Sequence, residues 1–264
     1  MSGAGHAAHA IRVESLHVRR DGRAALRDVG FAVPTGRLVA IIGPNGAGKS
    51  TLLDVLAGLL PPSSGRVEVL GGSPLAVRPR IAYVLQAAQP NGLVPLTVRE
   101  AVVMGRYAVT GPFGRLGADD REAVDRAMER LAVRDLADRQ LAELSTGQRQ
   151  RVLVAQGLSQ EASVLLLDEA ATGLDLPSQE RIRHAVADEV RRGTTVLFTT
   201  HDVADAAAAD QVLLLATDLV ADGPPAEILS EEPLATAFGA HVHRTPDGMV
   251  LVDDPHHHEH EARR

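Results

Sequence analysis

The feature that most constrains this chain is one short segment, Gly43-Pro44-Asn45-Gly46-Ala47-Gly48-Lys49-Ser50, which is followed by Thr51. It matches G-x-x-x-x-G-K-[ST], the pattern of a phosphate-binding loop. The mostly apolar run 37–42 predicts a buried strand before the loop, and the run 52–57 predicts a helix after it. Converging backbone N–H groups and the helix dipole attract a phosphate there. The segment therefore predicts a nucleotide site in which Lys49 reaches the β- and γ-phosphates and Ser50 binds Mg²⁺.

Lys49 is also the only lysine of the chain, because every other basic side chain except histidine is an arginine. The planar fork of an arginine does not replace a compact ammonium inside a nest of backbone N–H groups. A glycine-rich turn without a function would match the same pattern, but it would not explain why the single lysine stands at this position.

The composition is that of an ordinary globular protein, with 45% hydrophobic and 23% charged residues among 264. There is no cysteine, so disulfides and thiolate metal sites are excluded. The net charge of −7 argues against binding to nucleic acid. No apolar run approaches the ~18 residues that span a membrane. Residues 1–10 lack the features of a signal peptide, so we expect a flexible arm there and a membrane role only through partners.

Strand and helix patterns alternate along most of the chain. Patterns at 11–19 and 24–33, on either side of Asp21-Gly22, predict an antiparallel hairpin. Further strands are predicted at 66–70, 81–85, 164–167, 194–200 and 212–215. Helical patterns lie between several of these strands, which indicates a mostly parallel sheet.

A helical segment interrupts this alternation, and we expect an inserted subdomain at about 88–160. One helix is predicted from Thr97 to Tyr107. A second, capped by Asp119, should bury one apolar face. That face comprises Ala123, Val124, Ala127, Met128 and Leu131.

Polar residues follow several of the predicted parallel strands directly: Gln86, Asp168, Glu169 and His201. Because ligands bind at the carboxyl ends of parallel strands, we expect these residues to converge near the phosphate loop. Asp168 follows an apolar strand, as does the carboxylate that holds Mg²⁺ in phosphate-loop enzymes, and Glu169 can polarise a water. A solvated strand end without a function is the alternative, which a phosphate loop in the same sheet disfavours.

The segment Leu144-Ser145-Thr146-Gly147-Gln148 resembles the L-S-G-G-Q signature of ATP-binding cassette (ABC) ATPases. Ser145 and Gln148 also form a capping box for a helix that we expect to end near Ser159. The cap alone does not explain the order of the motifs along the chain. The phosphate loop, Gln86, the signature, Asp168-Glu169, the run 172–175 and His201 follow one another as in ABC ATPases. The resemblance covers about residues 11–240, which we expect to form a single domain.

The resemblance implies an α/β fold of the phosphate-loop ABC ATPase type, with an antiparallel β subdomain beside the mostly parallel sheet. It also implies a head-to-tail homodimer that encloses two ATP molecules and Mg²⁺. The segment with Ser145, Gly147 and Gln148 would then close over the γ-phosphate bound at Lys49 of the other subunit.

The remaining roles are likewise implied by the resemblance. Glu169 would be the general base, Gln86 would contact Mg²⁺ or the water, and His201 would contact the γ-phosphate. Asp175 would order the subunit interface. The family usually stacks adenine on an aromatic residue that precedes the phosphate loop. Arg20 occupies that position here, and its guanidinium plane can stack on adenine.

Two stretches, 97–107 and 138–152, look like the branch of the family that imports zinc, manganese or chelated iron. That branch implies permease subunits in the membrane, indirect dependence on an extracytoplasmic substrate-binding protein, and a cytoplasmic location at the inner face of the membrane. An ABC ATPase of another importer or of an exporter remains an alternative. So does a soluble ABC ATPase that acts on nucleic acid or ribosomes, although the negative charge disfavours it. A metal-buffering protein would leave the nucleotide motifs unexplained.

Residues 241–264 form a histidine-rich tail, with six of the eleven histidines after residue 240. The run 256–260, close to Asp253 and Asp254, combines imidazole with carboxylate, as Zn²⁺ sites do. A solvated polar tail without a role is the alternative interpretation.

Overall fold

The structure, a computed structural model, describes residues 9–85, 95–111, 114–239, 242–244 and 250–252. The strands in chain order are β1 (His9–Arg20), β2 (Arg23–Pro34), β3 (Leu38–Ile42), β4 (Ser64–Val69), β5 (Ile81–Val84), β6 (Val164–Leu167), β7 (Thr195–Thr199), β8 (Gln211–Ala216), β9 (Asp218–Gly223), β10 (Val242–Arg244) and β11 (Val250–Val252). The helices are α1 (Lys49–Leu56), α2 (Val98–Val103), α3 (Tyr107–Thr110), α4 (Ala118–Arg130), α5 (Thr146–Ser159), α6 (Leu176–Arg191), α7 (Val203–Ala207), α8 (Pro225–Ile228) and α9 (Glu231–Phe238). The chain divides into two compact units, residues 1–74 with 199–264 and residues 75–198.

An antiparallel sheet with the strand order β2-β1-β4 forms one layer of the first unit. Its central strand β1 pairs with both neighbours, so that Ile11 faces Val33 on one side and Val69 on the other. The turn Asp21-Gly22 joins β1 to β2, which confirms the predicted hairpin. His9 and Ala10 already belong to β1, and Ala10 is buried. The prediction of a flexible arm was therefore wrong for these two residues, because both belong to β1 and His9 pairs with Pro34 of β2.

The first unit also contains β3, the strand before the phosphate loop, which pairs in parallel with β8. Four of the five residues of β3 are buried, as the apolar run predicted. An antiparallel strand, β9, pairs with β8 after a turn at the single residue Thr217, which has a φ of 69°. Neither β9 nor the hairpin of β10 and β11 was predicted from the sequence.

In the second unit, β5, β6 and β7 pair in parallel in that order. All four residues of β6 are buried. The predicted apolar face of α4 is confirmed, because its five residues are at most 3% exposed. The strands of this unit and the buried face of α4 thus follow from the predicted patterns.

Two details of the helical segment differ from the predictions. The helix expected from Thr97 to Tyr107 is interrupted by a turn of 3₁₀ helix at Met104–Arg106, between α2 and α3. The prediction that Asp119 caps α4 was wrong. The N-cap is Gly117, whose backbone N–H donates to the Asp120 carboxylate at 2.8 Å. That hydrogen bond and a second one from Arg106 lower the pKa of Asp120.

Each helix in the described part of the chain is too short or too polar to cross a lipid bilayer.

Candidate functional site

The phosphate loop joins β3 to α1, and two of its glycines are required by close packing. Gly43 has a φ of 153°, and a Cβ there would lie 1.9 Å from the Leu215 carbonyl oxygen in β8. Gly48 has a φ of 96°, and a Cβ there would lie 2.5 Å from the Ala25 carbonyl oxygen in β2. The loop is therefore held between two strands at positions where only glycine fits.

The N-terminus of α1 has the features of an anion site. Its N-cap is Gly48, no side chain caps the helix, and the first turn has no acidic residue. Gly48 therefore offers no side-chain acceptor to the first turn of the helix, which lies at the positive end of the helix dipole. Ser50 in this turn is exposed, whereas Thr51 is buried. These residues fit the triphosphate of a nucleotide, and the exposed Ser50 hydroxyl has the chemistry of a Mg²⁺ ligand.

Lys49, at the start of α1, is only 8% exposed. Its ammonium donates to the carbonyl oxygens of Gly43 at 2.7 Å and Pro44 at 3.0 Å. The loop thus surrounds the ammonium with backbone oxygens of its own first two residues. A nucleotide phosphate would compete with these neutral oxygens for a cation that is already largely desolvated.

His201 belongs to the same unit as the phosphate loop. The backbone N–H of Thr200 donates to the carbonyl oxygen of Ile41, two residues before Gly43, at 3.2 Å. His201 follows directly and is exposed. The chain after β7 is thereby tied to the strand that leads into the loop, as the sequence predicted for polar residues that follow parallel strands.

Arg20, the residue expected beside adenine, ends β1 with a side chain that is 59% exposed. Its Nη1 lies 3.5 Å from a carboxylate oxygen of Asp54 in α1. An exposed pair at this distance is weak, so the guanidinium plane keeps access to a ligand.

In the second unit, Asp168 directly follows the buried strand β6 and is 9% exposed. Its backbone N–H donates to the Val84 carbonyl oxygen of β5 at 2.9 Å. Tyr83, also on β5, places its hydroxyl 3.5 Å from Oδ2 of Asp168. The sequence did not single out Tyr83, because its only signal is an aromatic residue in an apolar strand. Gln86 lies outside the described residues.

Glu169 comes next and has a φ of 47°, in the left-handed region that non-glycine residues rarely adopt. Strain of this kind costs about 1–3 kcal/mol and is concentrated at functional sites. The backbone thus turns at the residue that directly follows Asp168.

The signature segment forms the N-terminus of α5, and its predicted capping box is present. The Ser145 N–H donates to Oε1 of Gln148 at 3.0 Å, and the Gln148 N–H donates to Oγ of Ser145 at 3.2 Å. Gly147 packs against the start of α6. A Cβ there would lie 2.5 Å from Oδ1 of Asp175 and 2.8 Å from Oγ of Ser178. Ser178 is buried, and no local sequence signal marks it as a neighbour of the signature.

Within the described residues there is no group of three or more histidine and acidic side chains that could hold a metal ion. The histidine run 256–260 lies outside them.

Comparisons with known proteins agree with these features. Residues 26–172 match the family described as ABC transporter. The zinc transport system ATP-binding protein TroB of Treponema pallidum is 37% identical over 239 residues, which cover 90% of each chain. The manganese transport system ATP-binding protein MntB of Halalkalibacterium halodurans is 35% identical over 86% of this chain and 91% of its own.

A solved structure with a similar fold comes from an ABC transporter described as of metal-chelate type, in an inward-facing conformation. It superposes with a TM-score of 0.77 and 29% identity over 92% of this chain and 95% of its own. The α/β phosphate-loop fold of an ABC ATPase is therefore confirmed. The chain belongs to the ABC transporter family, as an ATP-binding and ATP-hydrolysing subunit.

Proposed function

We propose that this ATPase subunit energises the import of a divalent transition metal, zinc or manganese. The observation that carries the proposal is the extent of the likeness to ATP-binding proteins of zinc and manganese transport systems. It covers 86–90% of this chain at 35–37% identity, well beyond the nucleotide motifs themselves. The stretches 97–107 and 138–152, which look like the metal-importing branch, agree with it.

In the proposed reaction, the loop N–H groups and Lys49 bind the β- and γ-phosphates of ATP. Glu169 accepts a proton from the water whose oxygen attacks the γ-phosphorus, while the bond to the ADP oxygen breaks. His201 contacts the γ-phosphate. Ser50, Asp168 and Gln86 are the proposed ligands of Mg²⁺, which neutralises charge on the phosphates when bound.

We further infer that two copies of the chain pair around ATP, with the signature of each copy facing the phosphate loop of the other. The N-terminus of α5 offers backbone N–H groups and a positive dipole end toward a γ-phosphate. Closure on ATP binding and reopening after hydrolysis then drive the permease subunits in the membrane. An extracytoplasmic protein delivers the metal, and the ATPase lies at the cytoplasmic face.

The test is metal uptake by vesicles that contain the full-length protein together with its permease subunits and the extracytoplasmic substrate-binding protein. Zinc and manganese are offered outside with ATP inside, and the Glu169→Gln variant is the matched control. We expect ATP-dependent accumulation of one metal, which the variant abolishes. Outward transport, or transport of neither metal by an assembled and ATP-hydrolysing complex, would contradict the proposal.

A further inference from the structure

Tyr83 and Asp168 lie on the same face of the sheet in the second unit. The parallel register of β5 and β6 places Tyr83 beside Leu166. Asp168 continues this pairing, because its backbone N–H donates to the Val84 carbonyl oxygen at 2.9 Å. Side chains alternate between the two faces of a strand, so Asp168, two residues after Leu166, is on the same side as Leu166 and Tyr83.

The hydroxyl of Tyr83 reaches the carboxylate of Asp168. It lies 3.5 Å from Oδ2 in a partly buried position, and Asp168 itself is buried. A carboxylate only accepts hydrogen bonds, so the phenol is the donor. A hydrogen bond of this length is weak. It nevertheless selects an orientation, because the terminal torsion of an aspartate is broad and one donor is enough to favour part of its range.

Packing alone does not account for the hydroxyl of Tyr83. The other residues of β5 are apolar, namely Ile81, Ala82 and Val84. Phenylalanine would supply the same ring to this strand without placing a polar atom in a partly buried position. A neutral phenol also differs from a lysine or an arginine, since it orients a carboxylate without cancelling the negative charge. That charge stays available to attract a cation.

The strand that carries Tyr83 is anchored at both ends by glutamines of the signature helix. Gln160, the C-cap residue of α5, donates through Nε2 to the Ile81 carbonyl oxygen at 2.9 Å. Gln150, which is buried within α5, donates through Nε2 to the Leu85 carbonyl oxygen at 3.4 Å. The backbone of Tyr83 is therefore held between two fixed points, and only two side-chain torsions remain to place its hydroxyl.

We propose that Tyr83 is a positioning residue for Asp168, whose carboxylate it holds in one orientation for binding the Mg²⁺ that accompanies the nucleotide. This inference rests on the proposed role of Asp168 as a ligand of Mg²⁺. Hydrogen bonds to a metal-binding carboxylate orient it, and their loss typically lowers metal affinity or activity ~10–100-fold. The length of the contact places Tyr83 at the low end of that range.

The test separates metal-dependent from metal-independent nucleotide binding by the full-length protein. The non-hydrolysable ATP analogue AMP-PNP is titrated calorimetrically, once with excess Mg²⁺ and once with EDTA. A second readout is the EPR spectrum of Mn²⁺ bound in place of Mg²⁺ in the complex with AMP-PNP. The variants are Tyr83→Phe, Asp168→Asn and the double change. Tyr107→Phe is the matched control, because Tyr107 is the only other tyrosine of the chain and lies 40% exposed on α3.

Tyr83→Phe should raise the dissociation constant of AMP-PNP about tenfold with Mg²⁺ and by less than about twofold in EDTA, because only the metal contact is weakened. The line width of the Mn²⁺ spectrum should change as well, whereas Tyr107→Phe should match the wild type in both measurements. The double variant should bind no more weakly than Asp168→Asn alone, because Tyr83 acts through Asp168.

The outcomes that would overturn the inference are distinguishable. If Asp168→Asn weakens the Mg²⁺-dependent binding and Tyr83→Phe does not, Tyr83 does not position Asp168, and the proposed role of Asp168 stands. If Asp168→Asn has no effect, that role fails together with the inference. Equal weakening by Tyr83→Phe with Mg²⁺ and in EDTA would reveal a general defect of the nucleotide site. Unfolding of Tyr83→Phe at the assay temperature would show that the hydroxyl has a structural role instead.

Discussion

The ammonium of Lys49 lies 2.7 Å from the carbonyl oxygen of Gly43, the first residue of its own loop. A second carbonyl, that of Pro44, lies at 3.0 Å. The only lysine of the chain is therefore enclosed by the loop in which it must meet a phosphate. An ammonium is a compact point charge, whereas a guanidinium is broad and planar.

Lys49→Arg should consequently weaken ATP binding almost as severely as Lys49→Ala. We expect both variants to lose at least about tenfold in ATP affinity, because the arginine fork cannot occupy the space of the ammonium without moving the loop. Calorimetric titration with ATP measures this. Wild-type affinity in the arginine variant would show that the loop adapts to the larger group.

Glu169→Gln should retain ATP binding and lose hydrolysis. The amide keeps the shape of the side chain but cannot accept the proton of the attacking water, which typically costs ~10²–10⁴ in rate. ATP should therefore accumulate in a closed dimer, detectable by size-exclusion chromatography with and without nucleotide. Glu180→Gln, an exposed change on α6, is the control. Near-normal turnover of the Glu169 variant in the complex with its permease would rule out Glu169 as the base.

Arg20→Ala should weaken ATP binding modestly and leave turnover at saturating ATP unchanged. A guanidinium stacked on adenine is worth about 0.5–2 kcal/mol. The contact with Asp54 at 3.5 Å is too exposed to contribute much to stability. Asp54→Asn is therefore the control, since it leaves the guanidinium in place. An unchanged dissociation constant for ATP in Arg20→Ala would mean that adenine lies elsewhere.

Gly147→Ala should reduce both stability and turnover. The new methyl group would meet Oδ1 of Asp175 at 2.5 Å and Oγ of Ser178 at 2.8 Å, so one of these side chains must move. Overpacking of this kind costs about 1–3 kcal/mol in the free energy of unfolding. Gly30→Ala, where the nearest atom is 3.6 Å away, should be close to neutral in the same urea titration. Equal stability of the two variants would argue against the close contact of α5 with α6.

Sequence patterns predicted the strands and helices that are marked by their own residues, through an apolar run, a turn or a helix cap. The buried strands β3 and β6 are almost purely apolar, and the hairpin of β1 and β2 has a turn signal between alternating residues. The start of α5 could be predicted from Ser145 and Gln148, because the side chain of each accepts a hydrogen bond from the backbone N–H of the other.

The elements that were missed lack such a local signal. In β9, five of the six residues are intermediate in burial, so no alternation marks the strand. Its first residue is held by Arg27, nearly two hundred positions earlier, through hydrogen bonds of 2.7 and 2.8 Å. The capping of α4 was misassigned because Asp119 and Asp120 are equally plausible in sequence, and only the fold selects the one that reaches Gly117.

The residues of the candidate site likewise divide into those that a local sequence pattern predicts and those that only packing brings together. The phosphate loop could be predicted with its residues, because a helix start and the glycine conformations are local properties. The approach of Asp175 to Gly147 joins segments that lie far apart in sequence, and only packing brings them together. Tyr83 beside Asp168 belongs to this second class as well.

The histidine-rich tail supplies the last prediction, which rests on sequence because the run 256–260 lies outside the described residues. Removal of residues 253–264 leaves β10 paired with β11 through Val242 and Val252. The proposed catalytic residues all precede residue 202, so the shortened chain should hydrolyse ATP like the full-length protein. It should lose Zn²⁺ binding at neutral pH, because imidazole and carboxylate ligands are lost together. Titration with Zn²⁺ at neutral pH, alongside a full-length variant with alanine at the four histidines of 256–260, measures the effect. Equal Zn²⁺ binding by the shortened and full-length chains would exclude the tail as a metal site and leave the choice of transported metal to the permease.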